Sequence, residues 1–145
     1  MRYRKLAALV RADLGLYSVH LPLDRHGEIG NCVLLARAIG IELRGRFGSY
    51  QGLEIGSWGE IETSRDELAA GVARVLNGPV QILAHGPDRV SRVGVLTGAG
   101  ASAIEEAARL GLDTLVTGEG AHHVAIDAAE LGLNVVYGGH YATET

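Results

Sequence analysis

Apolar positions along this chain come in short bursts, and glycines stand at the junctions between them. Leu6, Leu9 and Val10 recur at helical spacing, which predicts a short amphipathic helix over residues 3–13. Residues 17–21 read as a strand that ends at Pro22 and the polar cluster Asp24-Arg25-His26-Gly27. Asn31 is placed to cap a helix running to about Ile39, with Gly40 in the C-terminal glycine position. In residues 41–62, Leu43, Phe47, Leu53, Ile55, Trp58 and Ile61 are spread among glycines, the pattern of a twisted hairpin or extended excursion. Ser64-Arg65-Asp66-Glu67 then matches a capping box, and Leu68, Val72, Val75 and Leu76 follow at helical spacing until Asn77-Gly78-Pro79. Residues 80–84 and 92–96 are the next strands, and Ser102-Ala103-Ile104-Glu105 is a second capping box, opening a helix that stops at Gly111.

The last third repeats. The stretch from Glu106 to Glu119 matches the stretch from Asp127 to His140 at an offset of 21 residues, helix end to strand end. Two copies are too few for a solenoid but imply consecutive βα units, hence parallel strands joined by right-handed crossovers. The expected fold is therefore α/β: a sheet with consecutive parallel βα units in the C-terminal half and helices covering it. Residues 1–145 make one domain, with the excursion at 41–62 as its departure from the pattern. Ligands of open α/β sheets collect beyond the carboxyl ends of the strands. The repeat sets Glu119 and His140 at equivalent points just past theirs, facing one crevice.

Composition narrows the function classes. Hydrophobic residues make up 47% and charged ones 21%, which excludes intrinsic disorder. With 13 Lys+Arg against 17 Asp+Glu there is no basic excess to neutralise phosphates, so nucleic acid is an unlikely partner. No apolar run is long enough to span a membrane, and Arg11 and Asp13 interrupt any signal-type stretch. The single cysteine, Cys32, cannot form an internal bridge and reads as a small core residue, consistent with a cytoplasmic location.

Among chemistry-bearing residues, His140 and Glu144 stand at i and i+4 if a helix begins there, so both reach one face and one divalent ion. A capping His and a solvated Glu are the plain alternative. Asp24 is either a turn residue or a hard oxygen ligand. His20 is blandly a hydrogen-bonded core histidine within the strand, and functionally a group beside Asp24; His26 and His85 read as surface. His122-His123 falls in the first turn of a helix, where the two side chains diverge by about 100° and at most one faces the crevice. Gly98-Ala99-Gly100-Ala101-Ser102-Ala103, with Glu119 beyond it, also fits a dinucleotide-binding fingerprint, but too little chain follows for a second mononucleotide half. Anion binding by backbone N–H groups at that turn is the more general possibility.

Taken in order, Tyr17-Ser18-Val19-His20-Leu21-Pro22-Leu23-Asp24, Gly30-Asn31, Gly56-Ser57-Trp58-Gly59-Glu60, the turn at 97–100, Thr117-Gly118-Glu119 with His122-His123, and Gly139-His140-Tyr141-Ala142-Thr143-Glu144 resemble the NGG-interacting factor family. Its members are also known as dinuclear metal centre hexameric proteins and GTP cyclohydrolase 1 type 2 homologues. The resemblance implies that Asp24, His140 and Glu144 are metal ligands, with divalent ions (Zn, Fe, Mn or Mg), ideally two per site. Family members are longer and carry an N-terminal His-His pair that supplies further ligands. No such pair precedes Asp24, and the family continues into a helix where this chain stops, so a fragment or shortened member is expected.

Those implications favour a metal-dependent hydrolase of a nucleotide or phosphate-containing substrate, GTP cyclohydrolase-like by resemblance. Two ions sharing a water would generate hydroxide, and Glu119, His20 or His122 would orient water or shuttle a proton. The alternative is a non-catalytic oligomeric adaptor or scaffold with structural or absent metal. By resemblance the partner is a further copy of the chain, in a hexamer.

Overall fold

A computed structural model describes residues 2–145. The chain runs α1 (Arg2–Arg11), α2 (Leu21–Asp24), α3 (Asn31–Ala38), β1 (Glu42–Tyr50), β2 (Leu53–Ser64), α4 (Arg65–Val75), β3 (Gln81–Ala84) and β4 (Arg89–Leu96). A 3₁₀ turn over Gly100–Ala103 leads into α5 (Ile104–Arg109), β5 (Thr114–Thr117), α6 (Val124–Leu131), β6 (Asn134–Tyr137) and α7 (His140–Thr143). The six strands form one sheet in the order β1-β2-β4-β5-β6-β3.

Pairing within the sheet follows connection length. The two-residue turn between β1 and β2 makes an antiparallel hairpin, and β2 pairs antiparallel with β4. Strands β4, β5 and β6 are parallel, because α5 and α6 carry the chain back across the sheet between them. The 21-residue repeat is therefore a structural repeat, as its helix-to-strand pattern predicts. Strand β3 closes the far edge, antiparallel to β6.

Successive residues of a strand face opposite sides, and here each side meets its own helices. Leu115, Leu133 and Val135 pack with Phe47, Ile104, Ala107, Val124 and Ala128, the layer of α5 and α6. Val93, Val95, Val116 and Val136 pack with Leu35, Ala36, Leu68 and Val72, the layer of α3 and α4. Gly94 lies where the first layer is tightest: a Cβ there would come within 2.7 Å of the Phe47 ring and 2.8 Å of Leu112. A glycine is required there for close packing.

The Ser64 capping box forms as predicted, with the Glu67 N–H donating to Ser64 Oγ and Ser64 N–H donating to Glu67. Those bonds hold the Glu67 carboxyl below its usual range, the Ser64 N–H contributing most.

Five local expectations are corrected. Residues 17–20 form no strand; the chain turns into the four-residue helix α2, with Pro22 in its first turn where a missing N–H costs nothing. His20 is consequently not a core residue, its side chain being 77% exposed. Gly30, not Asn31, caps α3, leaving the Asn31 amide free for another partner. No capping box forms at Ser102, since the chain enters α5 through a 3₁₀ turn and Ala103 takes the cap position. Finally, His122 and His123 lie in a turn, and α6 begins after them at Val124.

Helix α1 differs from the rest. Tyr3, Leu6 and Val10 are exposed, as are Leu14, Leu16 and Tyr17 beyond it. No described helix is long and apolar enough to cross a membrane.

Candidate metal centre

Three loops meet at the carboxyl ends of the parallel strands and are bound into one frame. The Gly118 and Glu119 N–H groups both donate to the Gly98 carbonyl, at 3.0 and 2.9 Å. Gly139 N–H donates to the Gly118 carbonyl at 2.9 Å, and Gly98 N–H donates to Thr143 Oγ1 at 3.0 Å. The Gly100 N–H donates to Thr117 Oγ1 at 3.1 Å. The Gly98 and Gly100 amides are thus already partnered within the protein and are not free to cradle an anion. The dinucleotide fingerprint has the same answer: its glycines serve loop packing.

On that frame the strand-end residues converge. His140 Nδ1 lies 2.7 Å from Glu119 Oε1, and His140 Nε2 lies 3.4 Å from Glu144 Oε2. The 21-residue equivalence of Glu119 and His140 thus becomes direct contact. An ionised carboxylate only accepts, so this contact is a hydrogen bond when His140 Nδ1 carries the proton. Glu119 is the first cause, and Glu144 a lesser one, of a His140 pKa raised above the ordinary imidazole value. Gly98 makes room for the pair. Its φ of +67° suits glycine, and a Cβ there would collide with the Glu144 carboxylate and approach His140 Nε2 at 3.2 Å.

A second part of the site comes from α2, with Asn31 of α3 behind it. Asp24 is buried, its side chain only 12% exposed. Asn31 Nδ2 donates to Asp24 Oδ1 at 2.9 Å, and His20 Nε2 stands 3.5 Å from Oδ2. Asp24, His20, His140 and Glu144 all line a single cleft of about 390 Å³, together with Ile55, Leu96 and Arg109. Arg109 is the one permanent cation among the described residues of that lining, against four carboxylates. Glu119 stands behind His140 and does not line this cleft. His122 is exposed and lies outside it. Beneath the floor, Cys32 is fully buried with its Sγ 3.5 Å from Thr97 Oγ1, and burial pushes its thiol pKa up, which fits the inert core role read from sequence.

The spacing of these donors decides whether they fit a metal ion. Two donors bound about 2.0–2.1 Å from a tetrahedral ion stand about 3.4 Å apart. His140 Nε2 and Glu144 Oε2 have that separation. The Glu119–His140 bond has the form of the carboxylate–histidine arrangement found behind metal-ligating imidazoles. The pair fits as two donors to one ion. Among the described residues, no three His, Cys, Asp or Glu side chains come close enough together to hold one.

Related proteins match the whole chain. The family description Duf34/NIF3 (NGG1p interacting factor 3) matches residues 1–145. The chain belongs to this family. Two curated NIF3 relatives, each called a GTP cyclohydrolase 1 type 2 homolog, come from Deinococcus radiodurans and Halobacterium salinarum. They are 40% identical over 144 residues and 43% over 148, covering 98% and 99% of this chain but 55% and 58% of their own lengths. The chain therefore spans little more than half of these relatives. Among solved structures, the protein ybgI, of unknown function, aligns with a TM-score of 0.89 at 37% identity, over 99% of this chain and 57% of that one. Reduced HcgD from Methanocaldococcus jannaschii aligns at 0.83 and 30% identity, over 98% of this chain and 56% of its own.

Sequence reasoning named His20, Asp24, Glu119, His122, His140 and Glu144; the structure brings all but His122 into contact pairs, and four of them, His20, Asp24, His140 and Glu144, line one cleft. It missed Asn31 as the partner of Asp24 and Arg109 as a cleft residue. Asn31 could have been found from its seven-residue distance to Asp24, which allows a helix N-terminus to fold back on the preceding turn. Arg109 carried no local signal.

Proposed function

We propose that this chain carries part of the site of a metal-dependent hydrolase acting on a nucleotide or another phosphate-containing substrate. The observation that carries the reading is the His140–Glu144 pair, spaced as two ligands of one ion at the edge of a cleft large enough for a small molecule. The relatives' shared name, GTP cyclohydrolase 1 type 2 homolog, supports a nucleotide as substrate.

In this reading His140 and Glu144 hold a divalent cation (Zn, Fe, Mn or Mg), and Asp24 offers a further carboxylate from the facing wall. The chemistry such a cation supplies when bound is a lowered pKa for water, which makes hydroxide available near neutral pH. His20, exposed beside Asp24, exchanges a proton with solvent at the cleft mouth. Arg109 draws the anionic end of the substrate to a cleft that is otherwise acidic. Ile55 and Leu96 give the substrate an apolar wall and keep water from that side. A second ion requires donors beyond those this chain brings together.

One observation favours a second reading, an oligomeric adaptor or scaffold in which the metal is structural or absent. Tyr3, Leu6 and Val10 of α1 are exposed rather than packed, as a surface that meets another chain would be, a further copy included.

The test is turnover. The full chain, loaded with Zn²⁺ or Mn²⁺, is incubated with GTP and the products are separated by chromatography and mass. Metal-dependent product that falls at least about 100-fold in His140→Ala supports the hydrolase. Metal uptake with no turnover of GTP, alongside a stable oligomer, supports the scaffold.

A further inference from the structure

The imidazole of His140 sits between two carboxylates, one at each ring nitrogen. Glu119 is 2.7 Å from Nδ1, and Glu144 is 3.4 Å from Nε2. A neutral imidazole carries one proton, so only one of these carboxylates receives an N–H. If Nε2 keeps the proton, it donates to Glu144 and has no lone pair to offer. If Nδ1 keeps it, the Nε2 lone pair faces Glu144 and the cleft. The shorter contact decides the competition, because a charge-assisted hydrogen bond at 2.7 Å is far stronger than a contact at 3.4 Å.

We propose that Glu119 is a positioning residue that selects the Nδ1–H tautomer of His140 and so leaves Nε2 free as a donor atom on the cleft side. Glu119 does this from outside the cleft, behind the imidazole. Its own place is fixed by the loop frame: the Glu119 N–H is held by the Gly98 carbonyl, and Gly139, next to His140, is held by Gly118, next to Glu119. The two side chains therefore hang from neighbouring points of one hydrogen-bonded lattice, and neither has to search for the other. The repeat acquires a purpose from this. The same strand-end position delivers the ligand in one copy and its orienting carboxylate in the other. The inference rests on the reading of His140 as a ligand through Nε2.

Two measurements test it on the full chain, and they fail separately. In metal-free, ¹⁵N-labelled protein, at a pH where the imidazole is neutral, long-range ¹H–¹⁵N correlations report which nitrogen of His140 carries the proton. Wild type is expected to show the Nδ1–H form. Glu119→Gln keeps an acceptor and is expected to preserve that form, whereas Glu119→Ala is expected to shift the ring toward Nε2–H. Zinc is then titrated against a competing chromogenic chelator. Glu119→Ala is expected to weaken zinc binding by roughly 10–100-fold, with Glu119→Gln between it and wild type. Glu119 is more than half exposed, and its replacement is not expected to unfold the domain, which circular dichroism checks. A tautomer unchanged in Glu119→Ala overturns the positioning role whatever zinc does. Correct tautomer behaviour in a wild type that takes up no zinc supports the positioning role and overturns the ligand reading instead.

Discussion

The two walls of the cleft are built by different means. The C-terminal wall, with Glu119, His140 and Glu144, hangs from parallel strand ends whose loops are hydrogen-bonded to one another. The N-terminal wall, with His20 and Asp24, hangs from a four-residue helix at the end of a segment whose apolar side chains face water. One wall is placed by the sheet, the other by the Asn31–Asp24 hydrogen bond, Leu21 packed against the core, and the turn around Gly30 that Arg37 ties to α3. Convergence of side chains is thus cheap where a repeat sets the strand ends and depends on individual contacts where it does not. Mutations should separate the two walls by how much of the fold each perturbs.

The largest effect belongs to the sheet that carries the C-terminal wall. Leu115 is fully buried between β4 and β6, and Leu115→Ala should cost about 2–5 kcal/mol in urea unfolding. Next comes Gly98→Val, which places a branched side chain at a positive φ and against Glu144, with an expected loss of about 1–3 kcal/mol and disruption of the His140–Glu144 pair. Asn31→Ala acts on the other wall alone. It strips Asp24 Oδ1 of its donor and should cost about 1–3 kcal/mol without disturbing the Glu119–His140 bond, visible as an unchanged His140 ring signal.

Ser64→Ala removes the α4 cap, remote from both walls, for about 1 kcal/mol. That loss has a pH signature. Glu67 has a folded pKa below its unfolded one, so its contribution is present above the unfolded value and disappears as pH falls through the folded value. The Ser64 N–H that contributes most to this shift survives in Ser64→Ala, so acid protonation of Glu67 should weaken both proteins and narrow the gap between their unfolding curves only by the smaller share of the Ser64 hydroxyl. Smallest of all is Leu6→Ala on α1, expected to change stability by less than about 0.5 kcal/mol because that side chain is in water. A loss comparable to Leu115→Ala would show that α1 is packed in solution and erase the contrast between the regions.

The same contrast explains what could be read from sequence. The repeat, the hairpin and the Ser64 cap were legible because each depends on local pattern: a 21-residue match, glycine-spaced apolar residues, a Ser-x-x-Glu spacing. The equivalence of Glu119 and His140 followed from the repeat alone. The N-terminal wall was not legible in the same way. Residues 17–20 have strand-forming composition, yet no neighbouring strand is available to pair with them, and Pro22 favours the start of a helical turn. Ser102 satisfied the capping spacing, but the 3₁₀ turn demanded by Gly98 and Gly100 shifted the helix start past it. Which amides remain free at a glycine-rich turn depends on threonines 17 and 45 residues away, and no local motif encodes that.

Equilibrium zinc titration of the full chain, wild type beside a His140→Ala/Glu144→Gln double variant, tests the proposed metal centre most directly. Saturable uptake by wild type, lost or weakened at least about 100-fold in the double variant while Tyr141→Ala is unaffected, is the outcome this account requires. Equal zinc uptake by wild type and the double variant would contradict it.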